Sequence, residues 1–596
     1  MNFIKKTTEL FILILLTIGL LILSVLLYVK YLWPNAYFEQ IFSTIRSLDA
    51  NILRHNVYLK DIFWSLLFFL IAWPFLYFKL NLKQQLLSLF GIFVGILYFS
   101  GLISHITDTH TTSDLYEKEY ISAQNLKIEF PAQKRNLILI FLESFEQNFT
   151  NEKIYDKNLL SHLQSLQKDG NYSQNHHSIY GTDYSIAALV SDLCGIPLKY
   201  NQNRDIWEAK HFLPRVICFP EILQNNGYQT KIIKAADINF THAGILAREH
   251  GYDEALGIHE LQQKYPELND KQYTGTFGGL NDRTLFEYAK KELDRFTPDK
   301  PFMLTLFTLD THTPGYYKDK ECQKDFNDIR DAFMCTDLLA YNFINWLKTS
   351  PYWQNTTVIL VGDHVFPSHI KTNARTKHGI FNLFLNLPKE KKIDKNKAFT
   401  TFDLAPTILE SLGIKLSPHA LGLGRSILAK EDTLIKKMKA NLVRKLKQKS
   451  NLYSTFHTPK QKREPIYKPY RLGTVLEKDD FINYAEAWDK YVGTVYLDCL
   501  NLTLDKAPAT DLTLHITFKA ITDPKKPILI KANNHELMSF MPPAQKTSPY
   551  FNLELTIKKE WIKDNKLQLT FQNTKGYQNA MQLGISPVRL MIDLKP

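Results

Sequence analysis

Cysteine is scarce, with five among 596 residues, and the chain has no internal repeat and no long low-complexity segment. So few cysteines exclude a disulfide-dense framework. The missing repeat excludes a solenoid, and the missing low-complexity tracts leave a chain able to bury cores along most of its length. Acidic residues are outnumbered, 60 against 72 lysines and arginines, for a net charge of +12. The length exceeds one ordinary domain.

Hydropathy places the first part in a membrane. Leu10–Val29 is uncharged and long enough to cross a bilayer, and Ile62–Phe78 and Leu86–Ser104 are shorter spans. No small-residue cleavage site stands near Tyr31–Pro34, so three retained helices are expected within residues 1–106, followed by a connector at 107–130. Lys5, Lys6, Lys79 and Lys83 belong inside by charge bias, which sends everything after about His105 to the outer face. That side permits disulfides. Proximity pairs Cys194 with Cys218 and Cys322 with Cys335, leaving Cys499, although four cysteines allow three connectivities and small buried hydrophobes are the alternative.

Beyond the connector, short apolar runs alternate with helical segments: Asn136–Phe141, Tyr228–Asp237, Pro301–Asp310, Thr356–His364 and Phe381–Leu387. This predicts an α/β domain over 131–430 with a largely parallel sheet. Ligands bind at the carboxyl ends of such strands, and Glu143, Asp310 with His312, and Asp363 with His364 all fall there. Lys430–Ser450 is strongly basic, with Ile435, Met438, Leu442 and Leu446 on one face. It suits either a helix lying on an anionic membrane or a solvated linker helix, within a linker at 431–472. Residues 473–596 change to alternating patterns and turns, which predict a β-sandwich without any cluster that suggests chemistry.

The stretch "YGTDYSIAALVSDLCGIPL", Tyr180–Leu198, sets Thr182, Asp183 and Ser185 where a helix begins. They read either as an N-cap, which stabilises by about 0.5–2 kcal/mol, or as a source of a catalytic hydroxyl. Glu143, the Asp363–His364 pair and such a hydroxyl would make a mixed oxygen and nitrogen site for a divalent metal. Coordination and a helix N-terminus would both favour the alkoxide. The chemistry indicated is transfer or hydrolysis of a phosphorus or sulfur ester through a covalent intermediate.

Six blocks in order, "NLILIFLESFE", the Tyr180–Leu198 stretch, "LFTLDTHTP", "VILVGDH", "FDLAPTILESLGI" and "LGLGRSIL", resemble the membrane-anchored phosphoglycerol transferases of the alkaline phosphatase/sulfatase superfamily. The likeness is greatest to the glucan phosphoglycerol transferase branch, with lipoteichoic acid synthases as cousins, and it covers about residues 130–430. It implies a mixed sheet with helices on both faces. It also implies one divalent metal, Mn²⁺ or Mg²⁺ with Zn²⁺ as an option, held by Glu143, Ser185, Asp363 and His364. Ser185 stands where the family usually has a nucleophilic threonine, and Thr182 aligns with the family's other threonine. His312 matches a histidine that binds phosphate or moves a proton. Substrate contacts fall to Thr182, to His242 with Arg248 as its alternative, because "NFTHAGILAREHGYD" lacks the Trp and Arg that lipoteichoic acid synthases carry there, and to His378 with His369, which follow "GDH".

The resemblance further implies a multi-pass protein of the bacterial inner membrane with its catalytic domain in the periplasm. Its partners would be the membrane, phosphatidylglycerol as donor and a glycan as acceptor, with no nucleic acid. Sulfatase activity is not expected, since the residues after Ser185 lack the Pro and Arg of the "C/S-x-P-x-R" motif. Two rivals stand beside this reading. One is a phosphoethanolamine transferase acting on lipid A or another envelope glycan; the other is a membrane-tethered glycan-binding protein with an inactive catalytic domain.

Overall fold

A computed structural model describes residues 2–32, 67, 71, 81–199, 211–313, 315–367 and 379–457. Beyond these it describes 468–470, 472, 475–477, 490–491, 494–495, 499–520, 528–540, 550–573 and 585–594. The chain divides into two compact units, Met1–Pro459 and Lys460–Pro596.

The first unit begins with two apolar helices, α1 (Asn2–Leu32) and α2 (Leu82–Ser100). Ile12, Leu16 and Leu20 of α1 pack against Ile92 of α2, while Phe11, Ile18, Ile22, Phe90 and Phe93 face outward. Among the described residues, Lys83–Ser100 is the helix long and apolar enough to cross a membrane, and Ile14–Leu27 is a shorter apolar stretch. Left-handed Gly101 ends α2 and opens the helix Leu102–His110, so the predicted span Leu86–Ser104 is shifted toward the N-terminus. The expected span Ile62–Phe78 lies outside the described residues.

The rest of the first unit is built on a six-stranded sheet of β1 (Asn136–Leu142), β2 (Gln229–Lys234), β3 (Glu254–Leu256), β4 (Phe302–Phe307), β5 (Thr356–Gly362) and β6 (Asn382–Leu385). Its order is β3-β2-β4-β1-β5-β6, parallel except for β6, which runs against β5. This is the mixed α/β sheet expected. Six consecutive side chains of β1 are buried: Leu137, Leu139 and Phe141 enter one core, and Ile138, Ile140 and Leu142 the other. Burial on both faces favours unpaired polar groups at the strand ends, where apolar runs terminate in Glu143 and Asp363. Strand β3 is too short to leave a periodic signal.

Both expected disulfides are present, Cys194–Cys218 and Cys322–Cys335. The basic stretch forms two helices, Leu434–Met438 and Ala440–Lys447, broken at Lys439 with φ 51°. Leu434, Leu442 and Leu446 are buried in the catalytic core, and Ile435 and Met438 pack on it. The face read as available to a membrane is therefore covered by the domain itself.

In the second unit, β7 (Lys468–Tyr470), β9 (Cys499–Leu504), β14 (Lys566–Asn573), β11 (Ile528–Ala532) and β12 (His535–Phe540) form one sheet in that order. A second sheet runs β8 (Val475–Glu477), β15 (Ile585–Leu594), β10 (Leu512–Ala520), β13 (Tyr550–Ile557). Leu502, Ile530 and Leu569 from the first share one apolar core with Leu514, Phe518 and Ile592 from the second.

Candidate active site

Strand β1 lies between β4 and β5, so the loops after these three strands meet at one edge. Glu143 follows β1. Its backbone N–H donates to Thr308 Oγ1 (2.9 Å) and its carbonyl accepts from Thr311 Oγ1 (2.6 Å), both on the chain leaving β4. Ser144 adopts a left-handed backbone, φ 59°, a conformation that costs a non-glycine residue about 1–3 kcal/mol. The arrangement lets its hydroxyl bond Glu143 Oε1 (2.7 Å) and its N–H bond Asp363 Oδ1 (2.7 Å). Gly362 precedes Asp363 where a Cβ would stand 2.2 Å from Phe145 O, so only glycine permits this approach of the two loops.

The helix α3 (Ser185–Cys194) delivers the hydroxyl. It starts at Ser185, and its N-cap, Tyr184, offers no side-chain cap. Thr182 is buried, and its hydroxyl is committed to a local turn, accepting from Ile179 N–H and donating to Ile179 O, both at 3.0 Å. Ser185 Oγ instead donates to Glu143 Oε2 (3.3 Å) and lies 3.4 Å from His364 Nε2. Neither hydroxyl serves as the N-cap. The stretch supplies one turn-bound threonine and one serine aimed at carboxylate and imidazole.

Asp363 is fully buried. Its Oδ1 accepts the N–H groups of Ser144 and His364, while Oδ2, 3.3 Å from His364 Nε2, accepts no hydrogen bond. His364 Nδ1 sits 2.8 Å from Val365 O, which assigns the proton to Nδ1 and turns the Nε2 lone pair toward the carboxylates. Ligand atoms of Glu143, Asp363 and His364 all lie within 4.8 Å of one another. Burial pushes the Asp363 carboxyl up to about 6, and the nearby Glu143 charge adds to this. An orphaned buried carboxylate oxygen, a second carboxylate, an inward imidazole and a hydroxyl fit a divalent cation, which would offset the charge concentrated there.

His312 is half-buried, with Nδ1 lacking a hydrogen-bond partner and Phe277 edge-on at 5.2 Å. Burial, reinforced by His364, lowers it to about 4, so the ring is neutral and able to accept a proton. Asp310 does not join the cluster. Its Oδ2 accepts the N–H of Asp282 (2.7 Å), and the two carboxyls form a separate buried pair braced by Thr336. His242 lies in the turn Phe240–His242 after β2, with φ 61°. His369 and His378 lie outside the described residues.

One charged residue escaped the sequence reading. Lys234, the last residue of β2, is buried, with Nζ 5.6 Å from the Phe240 ring and 5.9 Å from that of Phe307. Burial lowers its pKa, opposed by the charges of Glu143, Asp237 and Asp363. A cation thus stands beside the carboxylate cluster. Its signal was a lysine closing an apolar strand, which attention to acids and histidines alone passes over.

Residues 135–414 match the Sulfatase family model. The match covers a little under half of the chain. Curated relatives include Phosphoglycerol transferase I of Shigella flexneri, 31% identical over 311 residues, covering 50% of this chain and 40% of that one. The Escherichia coli protein of the same name is 30% identical over 310 residues, with the same coverage. The chain thus spans 40% of the length of these relatives. Similar solved structures include the lipoteichoic acid synthase LtaP from Listeria monocytogenes (21% identity, 52% of this chain, 82% of that chain, TM-score 0.41). The periplasmic domain of EcEptC from Escherichia coli is another (14%, 51%, 89%, TM-score 0.38). Glu143, Ser185 and the Asp363–His364 pair come from three separate segments within the matched region.

Proposed function

We propose that this protein transfers a phosphoglycerol group from phosphatidylglycerol to a glycan through a covalent intermediate on Ser185. The observation that carries the reading is Ser185 Oγ, held at the start of α3 within reach of both Glu143 and His364. The curated relatives named phosphoglycerol transferase I support the transferred group over phosphoethanolamine.

Glu143, Ser185, Asp363 and His364 would hold one divalent metal, Mn²⁺ or Mg²⁺ with Zn²⁺ as an option. When bound, it supplies a lowered hydroxyl pKa and positive charge against the phosphoryl oxygens. The residues do the rest. Ser185 Oγ attacks phosphorus, the bond to the diacylglycerol oxygen breaks, the serine's proton ends on that oxygen, and a glycerophosphoryl-serine remains. The first-turn N–H groups of α3 orient the phosphoryl oxygens, and Lys234 adds its charge. In the second half, an acceptor hydroxyl attacks the same phosphorus, the bond to Ser185 Oγ breaks, and the acceptor's proton is relayed through neutral His312 to Ser185 Oγ.

The apolar helices α1 and α2 suit a membrane anchor that keeps the enzyme beside a lipid donor. The two disulfides suit the periplasm.

The test is diacylglycerol release by the detergent-purified full chain from phosphatidylglycerol and, separately, phosphatidylethanolamine. Release from phosphatidylglycerol, abolished by chelation and restored by Mn²⁺, is expected. Release from phosphatidylethanolamine alone would replace the donor, and release from neither would overturn the function.

A further inference from the structure

A second polar feature lies at the same sheet edge, on the β6 side. A cleft there is lined by four carboxamide residues, Gln147, Asn148, Gln174 and Asn175, with Thr150 and His176. Among the described residues no Asp, Glu, Lys or Arg lines it, and His177 and Gly379 complete the lining. Neutral donors and acceptors without a net charge match hydroxyl groups, not phosphate or carboxylate. Its first wall begins four residues beyond Glu143, so at most about 14 Å of extended chain separates it from that ligand.

The cleft is built on fixed backbone. Gln147 N–H donates to Gly379 O (2.7 Å), Ile380 N–H donates to His176 O (3.0 Å), and His176–His177 pairs in parallel with Phe399–Thr400. Glu146 Oε1 accepts the N–H of Phe366, tying the first wall to the loop just past His364. The carboxamides are oriented before any ligand arrives. Gln167 Nε2 donates to Gln147 Oε1 (3.1 Å), Asn175 donates to Asn396 O (3.0 Å), and Asn148 donates to Tyr155 (3.0 Å). Such locking lowers the entropy lost on binding.

His176 fixes the second wall: its ring is fully buried and stacked on Phe399 at 4.2 Å, with Nε2 facing Thr401 Oγ1.

We infer that this cleft binds the neutral sugar units of the acceptor glycan, next to the serine that carries the transferred group. What the bound glycan is used for rests on the transferase reading; the binding does not.

The test is calorimetric titration of full-length Ser185→Ala protein in detergent, without lipid donor. The probes are a neutral glucose hexasaccharide and, separately, glycerol 3-phosphate, since a donor glycerol offers the same hydroxyl chemistry. Gln174 is exposed at the rim, so Gln174→Trp fills the cleft without removing a buried bond. Saturable hexasaccharide binding, weakened about tenfold by Gln174→Trp and less by Gln174→Ala, is expected. Absence of hexasaccharide binding, or an affinity that Gln174→Trp leaves unchanged, overturns the assignment. So does glycerol 3-phosphate binding that the Trp blocks when hexasaccharide binding is absent. Hexasaccharide binding that responds to Gln174→Trp, in a protein releasing no diacylglycerol from either lipid, would sustain the cleft while overturning the transferase reading.

Discussion

Strand β1 buries six side chains in succession, whereas β10 alternates from Leu514 on, with Leu514, Ile516 and Phe518 inside and His515 and Thr517 half-buried. In the six-stranded sheet both faces are covered, so polar side chains within the strand bodies are paired internally, as Lys231 is with Glu292 and Thr305 with Tyr252, and the acids and histidines of the site collect at the ends. In the second unit polar side chains leave along the length of each strand. The first arrangement concentrates charge where desolvation is severe: burial raises the Asp363 carboxyl and lowers both Lys234 and His312. The second scatters charge into water, and the resolved shift there, for exposed Lys558, arises from its bond to Asp511. Reactivity follows from the covered sheet, not from the number of polar residues.

The comparison breaks most visibly at Ser185. Ser185→Ala should lower diacylglycerol release from phosphatidylglycerol at least about 10³-fold with folding intact, because a nucleophile has no substitute. Near-normal release by a folded variant would mean that the edge is polar without being catalytic. Next comes the second unit, where Leu569 is fully buried. Leu569→Ala should destabilise that unit by about 2–5 kcal/mol, read as faster hydrogen exchange in 566–573 with protection of 136–142 retained. Loss of protection in both segments would show that the two units unfold together.

Lys234→Met sharpens the electrostatic half of the contrast. Removing the buried ammonium should reduce kcat/KM about tenfold, since a charged hydrogen bond contributes roughly 1.5–3 kcal/mol and the methionine keeps the volume. Unchanged kinetics would make Lys234 a packing residue.

The smallest effect is expected at Asp192, which is fully buried on α3 with neither carboxylate oxygen hydrogen-bonded. Burial, with Asp363 nearby, raises its pKa well above normal. A raised carboxyl destabilises the fold once pH exceeds the unfolded value of about 3.9, because only the unfolded chain then releases the proton. Asp192→Asn should therefore raise Tm at pH 7 by a few degrees, about 1 kcal/mol, with the gain shrinking toward pH 4. A Tm gain independent of pH would remove titration as its cause.

Much of this edge could be read from the chain. Glu143, Asp363 and His364 are the first polar residues after long apolar runs, and Ser185 opens a helix, so each announces an element boundary. Residues whose roles depend on distant partners were illegible. Asp310 looks like Glu143 in sequence, yet the N–H of Asp282 captures it. Thr182 looks like Ser185 until its turn with Ile179 forms. The basic helices show an apolar stripe, but periodicity does not say whether a membrane or the protein's own core covers it; here it is the core. Lys234 hid inside a strand pattern, where a cation reads as an exposed end.

The central claim, that Ser185 becomes covalently phosphorylated by its lipid donor, is tested most directly by intact mass and peptide mapping. The full chain, purified in detergent with Mn²⁺, is incubated with phosphatidylglycerol and no acceptor, alongside Ser185→Ala. A glycerophosphate adduct on the Ser185 peptide, absent from the variant, is the predicted result. An adduct on another residue, or none while diacylglycerol is still released, would contradict the account.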